Sequence, residues 1–180
     1  MAIVVYVQRK TESGFTLLEI MAAVAVVGIL VRVVVPMFLT QSRKAQADTE
    51  VAAFFAELSM KEESYKVDKG VYFSTGASET ATWPATVTSA TQTILPLPAT
   101  WTTLRVLPPE TKARCGYVVV AGTAGQPAGS IASTSFSYTT PPLSWYYMLA
   151  HCNLDDNSAT DSYYFASSTS STIQKINYGK

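Results

Sequence analysis

Gly14-Phe15-Thr16-Leu17-Leu18-Glu19-Ile20-Met21 opens the stretch that decides the fold. From Phe15 to Val31 the only charged side chain is Glu19, and beyond Arg32 the apolar run resumes through Val33, Val34 and Val35 to Pro36. At about 1.5 Å of rise per residue, a helix over this run extends roughly 30 Å, the thickness of a bilayer's hydrocarbon layer. The segment can therefore span a membrane, and Glu19 is its anomaly. A carboxylate in a membrane helix costs on the order of 3 kcal/mol at mid-bilayer, less near the end of the span, and it favours a cationic partner. A cut between Gly14 and Phe15 would create one, an α-amine with a pKa of roughly 7.7 to 8. Within one chain that amine points along the helix axis, but the amine of a neighbouring copy shifted along the helix can reach Glu19. Glu19 then fixes the register of an assembly.

The residues 14–19 resemble the processing site of type IV prepilins and of the related pseudopilins of type II secretion. Gly28 and Pro36 fall where that family carries a helix glycine and a helix proline, and the resemblance covers about the first third of the chain closely. It implies cleavage after Gly14 by a prepilin peptidase that also N-methylates Phe15. It further implies insertion in the inner membrane lipid with the head outside the cytoplasm, then packing of the N-terminal helix into a filament. The implied partners are other pilin subunits, in a homo- or heteropolymer, and the inner-membrane assembly machinery; the product is a surface pilus or a periplasmic pseudopilus. Methylation leaves the amine able to carry its charge. Two other readings stay open: a pseudopilin of a type II secretion system, and a monomeric membrane-anchored extracytoplasmic binding module. An ordinary signal peptide fits poorly, because its apolar core is shorter and ends in a small-x-small site.

Taken in order, the chain divides into a leader (1–14), a hydrophobic helix (15–36), an amphipathic continuation (37–69) and a head (70–180). Arg9 and Lys10 in the leader favour a cytoplasmic N-terminus. The apolar opening 1–7 is unusual for a prepilin leader and leaves the true start codon open. Arg32 also departs from the family's pattern, and its stem allows the guanidinium to snorkel to the outer interface. Pro36 cannot donate to the carbonyl of Arg32, so with Gly28 it brackets a segment expected to kink or loosen.

Beyond Phe38, Ala47, Val51, Phe54, Phe55, Leu58 and Tyr65 keep a helical period, which predicts an apolar face packed on the chain's own sheet. Arg43, Lys44, Asp48, Glu50, Glu57, Lys61 and Glu62 fall largely on the opposite side. Lys66, Lys69 and Gly70 place the helix end near Lys69. A long connection, 74–103, reads as a surface loop with short regular pieces, in which Trp83 and Trp101 are candidate contacts or fold back onto the sheet. Strands are predicted over 103–107, 116–121, 133–139, 145–151, 162–166 and 172–177. The fold class is α+β, one long N-terminal helix packed on a small antiparallel sheet.

Cys115 opens one predicted strand and Cys152 closes another, so an antiparallel pairing would bring the sulfurs together. A disulfide there suits a compartment outside the cytoplasm and would stabilise by about 4 kcal/mol. The single histidine, His151, neighbours Cys152 on a strand, where adjacent side chains point apart, so neither a Cys-His pair nor a Ser-His-Asp set is expected. The chain is not read as an enzyme, and no cofactor is implied. Asn153, Asp155, Asp156, Asn157 and Asp161 form an oxygen-rich cluster, a loop of the composition calcium takes, but it lacks the regular EF-hand spacing and reads as a turn. Thirteen basic against thirteen acidic residues give no electrostatic case for nucleic acid.

Overall fold

A computed structural model describes residues 14–128, 131, 136, 138–139, 141–155 and 157–177. Helix α1 runs Leu17–Lys69, 53 residues, with Pro36 inside it. Its end follows from its last turn: Gly70 takes φ +80° and donates its N–H to the Lys66 carbonyl at 2.7 Å, while Lys66 and Lys69 face the negative end of the helix dipole. The chain separates into two compact units, Met1–Phe38 and Leu39–Lys180.

In the second unit, α1 buries Ala47, Val51, Phe54, Phe55 and Leu58. Opposite them stands a four-stranded antiparallel sheet of order β3-β4-β5-β6, made of β3 Cys115–Gly122, β4 Trp145–Cys152, β5 Ser162–Ser167 and β6 Ser170–Ile176. The period of two along each strand sorts its side chains. Tyr117, Val119, Tyr146, Met148, Ala150, Tyr164 and Ala166 join the core that includes α1, with Phe54 stacked on Tyr117 at 4.2 Å. Val118, Trp145, Tyr147, Leu149 and Phe165 face the other way and pack with Ile131 and Phe136. Both faces are covered, which is why β4 reads as an unbroken apolar run rather than an alternation.

The β3 edge of the sheet is covered as well. Thr75 donates to the Val119 carbonyl at 2.9 Å, and Trp83 exchanges two backbone hydrogen bonds with Tyr117 at 2.8 and 2.9 Å. The approach is so close at Gly116 that a β-carbon would stand 2.5 Å from the Pro84 carbonyl oxygen. The connection 74–103 holds β1 Gln92–Thr93, which pairs with β2 Lys112–Ala113, and α2 Ala99–Thr103. Trp101 is buried and the Trp83 indole donates to the Ile94 carbonyl at 2.8 Å, so both tryptophans fold back into the head.

Two expectations are corrected. Residues 103–107 form no strand: α2 occupies the start of that range, and Arg105 turns the chain with φ +57°. Thr103, at the start of that range, satisfies its hydroxyl locally by donating to the Ala99 carbonyl at 2.9 Å, as Thr102 before it does at 2.8 Å. Nor is the charged side of α1 simply solvated. Glu62 is fully buried, Lys44 is nearly so, and Glu50, Glu57 and Asp48 are engaged by the head, because loops wrap beyond the sheet onto the helix flanks. The predicted strand 133–139 falls largely on residues outside the described set, as does the leader up to residue 13.

Candidate functional site

The N-terminal segment carries the residues singled out for processing and assembly. Gly14, Phe15 and Thr16 precede the helix in irregular backbone, all exposed, and a β-carbon at Gly14 would meet nothing within 4 Å. The Gly14–Phe15 peptide is thus open on the surface, and Phe15 is 85% exposed. Thr16 and Glu19 close on each other. Thr16 donates its N–H and its hydroxyl to Glu19 Oε2 at 2.8 and 2.9 Å, and its Oγ1 accepts the Glu19 N–H at 3.2 Å. This reciprocal capping box satisfies two of the donors that a helix start leaves orphaned. The sequence reading missed it, although Thr16-Leu17-Leu18-Glu19 has the Thr-x-x-Glu spacing that signals it.

Both Thr16 bonds land on one carboxylate oxygen, and Oε1 accepts none among the described residues. Cleavage before Phe15 would leave the Thr16 N–H and hydroxyl in place, so the box does not depend on the leader. Beyond it the apolar side chains stand outward: Leu17 is 77% exposed, Leu18 78% and Ile29 69%. This part of α1 is long and apolar enough to cross a membrane, and its apolar window is not buried within the chain. Gly28 has open space around it, Pro36 lies within the continuous helix, and Arg32 is exposed.

In the head, Cys115 and Cys152 are joined in a disulfide across the first register pair of β3 and β4. His151 Nε2 lies 2.5 Å from Asp161 Oδ2, and its ring stacks on Tyr163 at 4.7 Å. With Cys152 oxidised, that imidazole has no thiolate to activate. Asp155 accepts from the Asn157 N–H at 3.0 Å and the Thr160 hydroxyl at 2.8 Å, while the Asn157 side chain caps the short helical turn Ser158–Thr160. These oxygens are spent on the turn itself. Asp156 lies outside the described residues, among which no three His, Cys, Asp or Glu side chains are grouped to hold a metal.

The polar residues that do most in the head were not singled out from the sequence. Glu50 accepts the Arg114 N–H at 2.9 and 3.0 Å, the Cys115 N–H at 3.2 Å and the Tyr117 hydroxyl at 2.7 Å. Burial first, and the Glu50 charge beside it, hold Tyr117 well above the usual phenol range, so it stays a donor. The Arg114 guanidinium in turn donates to the Ser89 carbonyl and to Gln46. Glu62 accepts the Phe73 N–H at 2.9 Å.

Residues 9–31 match the prokaryotic N-terminal methylation motif. The type II secretion system core protein G of Pseudomonas aeruginosa is 41% identical over 71 residues, covering 38% of this chain and 47% of that protein. The same core protein of Vibrio cholerae is 41% identical over 68 residues, 36% of this chain and 44% of its own length. The type IV wide pilus major component PilA4 of Thermus thermophilus is 33% identical over 69 residues, 38% of this chain and 52% of that protein. The chain thus spans about half the length of the relatives it matches. No solved structure matches it significantly.

Proposed function

We propose that this chain, pilin-like in its N-terminal third and in its α+β architecture, is a structural subunit that polymerises through α1 after cleavage following Gly14 and N-methylation of Phe15. The observation that carries the reading is the start of α1: an open Gly14–Phe15 bond, one turn ahead of a carboxylate at the head of an exposed apolar helix. In this reading the chain waits in the inner membrane with its head outside the cytoplasm. Assembly then moves the apolar segment from lipid into contact with neighbouring copies. The Thr16 box orients Glu19 through Oε2 and leaves Oε1 to the ammonium of the next subunit's Phe15. In a low-dielectric surround such a pair needs further hydrogen bonds to balance desolvation, and Thr16 supplies two of them.

A second reading, a pseudopilin of a type II secretion system, draws on the higher identity to core protein G, 41% against 33% to the pilus component. Both uses need the same first third. They separate on where the filament is found, at the cell surface or in the periplasm.

Two measurements test the proposal. Mass spectrometry of the mature N-terminus is expected to give an N-methylated Phe15; an intact leader, or a cut elsewhere, rejects the processing. Glu19→Gln keeps an acceptor for the capping box and removes the charge, so it separates capping from pairing. Processing and membrane insertion of that variant are expected to persist while its share of purified filaments drops more than tenfold. Incorporation at the wild-type level would remove the role given to Glu19, and a chain found solely as a monomer would favour an anchored binding module.

A further inference from the structure

Glu62 is an acid sealed inside the head, and its two oxygens are treated differently. Oε2 accepts the Phe73 N–H, whereas Oε1 is buried without a hydrogen-bond partner among the described residues. Such a group is tolerated while neutral and is costly once charged. What it holds is the first turn of the chain after α1. Immediately beyond Phe73, Ser74 and Thr75 lie along the outer edge of β3. Ser74 Oγ accepts the Ala121 N–H at 2.8 Å and donates to the Ala121 carbonyl at 3.2 Å. Thr75 donates its N–H to the Val119 carbonyl at 2.9 Å, and its Oγ1 accepts the Val119 N–H at 2.8 Å. β3 is the end strand of its sheet, so these bonds close what would otherwise be an open edge.

We propose that Glu62 is a latch: protonated, it locks residues 73–75 onto the edge of β3, and on losing its proton it releases them and uncovers β3 at Val119 and Ala121. The titratable groups around this corner are Glu63, Tyr65 and Lys66 on α1, Tyr72 on the segment itself, Tyr138 near Tyr72 and Tyr146 on β4, with the Tyr65 ring 5.2 Å from that of Phe73. Glu63 adds to the cost of charging Glu62, and Lys66 is occupied with the Tyr72 hydroxyl at 2.9 Å, which also donates to Glu63 at 2.8 Å. Tyr146 packs edge-on against Tyr72 at 4.7 Å, and burial holds both phenols above their usual range. Burial pushes the Glu62 carboxyl up to about 8, against the Phe73 hydrogen bond that lowers it.

The sign follows from linkage. Once released, Glu62 is an ordinary carboxyl that ionises near 4.5. Between that value and about 8 the released form is charged while the locked form is neutral, so release grows by roughly tenfold per pH unit and levels off above 8. The test is amide hydrogen exchange on the processed full-length chain in detergent micelles between pH 6 and 7.5, corrected for intrinsic exchange chemistry. The expected result is a tenfold-per-unit loss of protection at Phe73 and Thr75, with Met148 on β4 much better protected throughout. Glu62→Gln is expected to abolish the pH dependence at Phe73. A flat profile in the unmodified chain overturns the latch, as does an unchanged slope in the Gln variant or equal protection at Phe73 and Met148. If the variant fails to fold, the carboxyl carbon shift of Glu62 decides: an inflection near 8 supports the latch and one below 6 overturns it.

Discussion

Glu50, Glu57 and Glu62 each reach from α1 to take a backbone N–H from a segment beyond the helix: Arg114 with Cys115, Leu107, and Phe73. They differ in what is left behind when the carboxylate goes. Glu50→Ala strands the buried Tyr117 hydroxyl and two N–H groups, so a loss of about 2 to 4 kcal/mol is expected in urea unfolding. Glu57→Ala leaves a Leu107 N–H that can turn to water, and less than about 1 kcal/mol is expected. Equal costs would mean that the Glu50 bonds are not what secures the start of β3. Glu62 acts on the pH axis instead. Its carboxyl is raised from 4.5 to about 8 in the folded head, so between those values the native chain binds more protons than the unfolded one. The stability tied to this group is full below about pH 4.5 and is lost as pH rises through 8, a change of about 5 kcal/mol. Other groups titrate over the same span, which makes Glu62→Gln the comparison. The variant should gain on the unmodified chain from pH 5 to 8 and the gap should stop widening by about pH 9; a gap that is constant with pH would place the carboxyl in its ordinary range.

At the level of elements, the disulfide and the sheet were legible in the sequence because each follows from local order. β3 begins with Cys115 and β4 ends with Cys152, and an antiparallel register makes those two residues partners. The bond ties the strands at the end farthest from their connecting loop, between cysteines 37 positions apart in sequence. Replacing both cysteines by serine should cost about 2 to 5 kcal/mol, read as a lower urea midpoint, whereas reduction with no effect on the midpoint would show that the ladder alone suffices. The helix end at Lys69 was legible too, from two lysines and a glycine. What the sequence concealed depends on contacts made far along the chain. Period alone assigns Glu50 and Glu62 to the wet side of α1, and nothing local announces that residues 73–75 and 107–117 will fold over that side. The range 103–107 misled for the opposite reason: Thr103 has strand propensity, but its hydroxyl, like that of Thr102, bonds Ala99 and closes a helical turn. The capping box is written locally as well, in the Thr16-x-x-Glu19 spacing, and it uses the same carboxylate whose charge calls for a cationic partner.

On the scale of the whole chain, the division at residue 38 separates two kinds of apolar surface. Among the described residues, every buried hydrophobic side chain lies at Ala47 or beyond, while the apolar residues of 14–32 and 34–38 stand exposed. An apolar surface of that length is not stable in water and calls for lipid or for neighbouring copies. The head makes no such demand, since its sheet is covered on both faces and joined by its disulfide. A fragment beginning at Leu39 is therefore expected to be soluble and monomeric, with a melting temperature within about 3 °C of the head in the detergent-held full chain. The cut position matters. Arg43 donates to the Leu154 carbonyl at 3.3 Å, and Ala47 lies in the core. A fragment beginning at Asp48 loses both and should melt several degrees lower. An unfolded or aggregated fragment from Leu39 would mean that the head needs residues before Leu39 to fold. Equal melting of the two fragments would instead move the boundary of the folding unit toward the middle of α1.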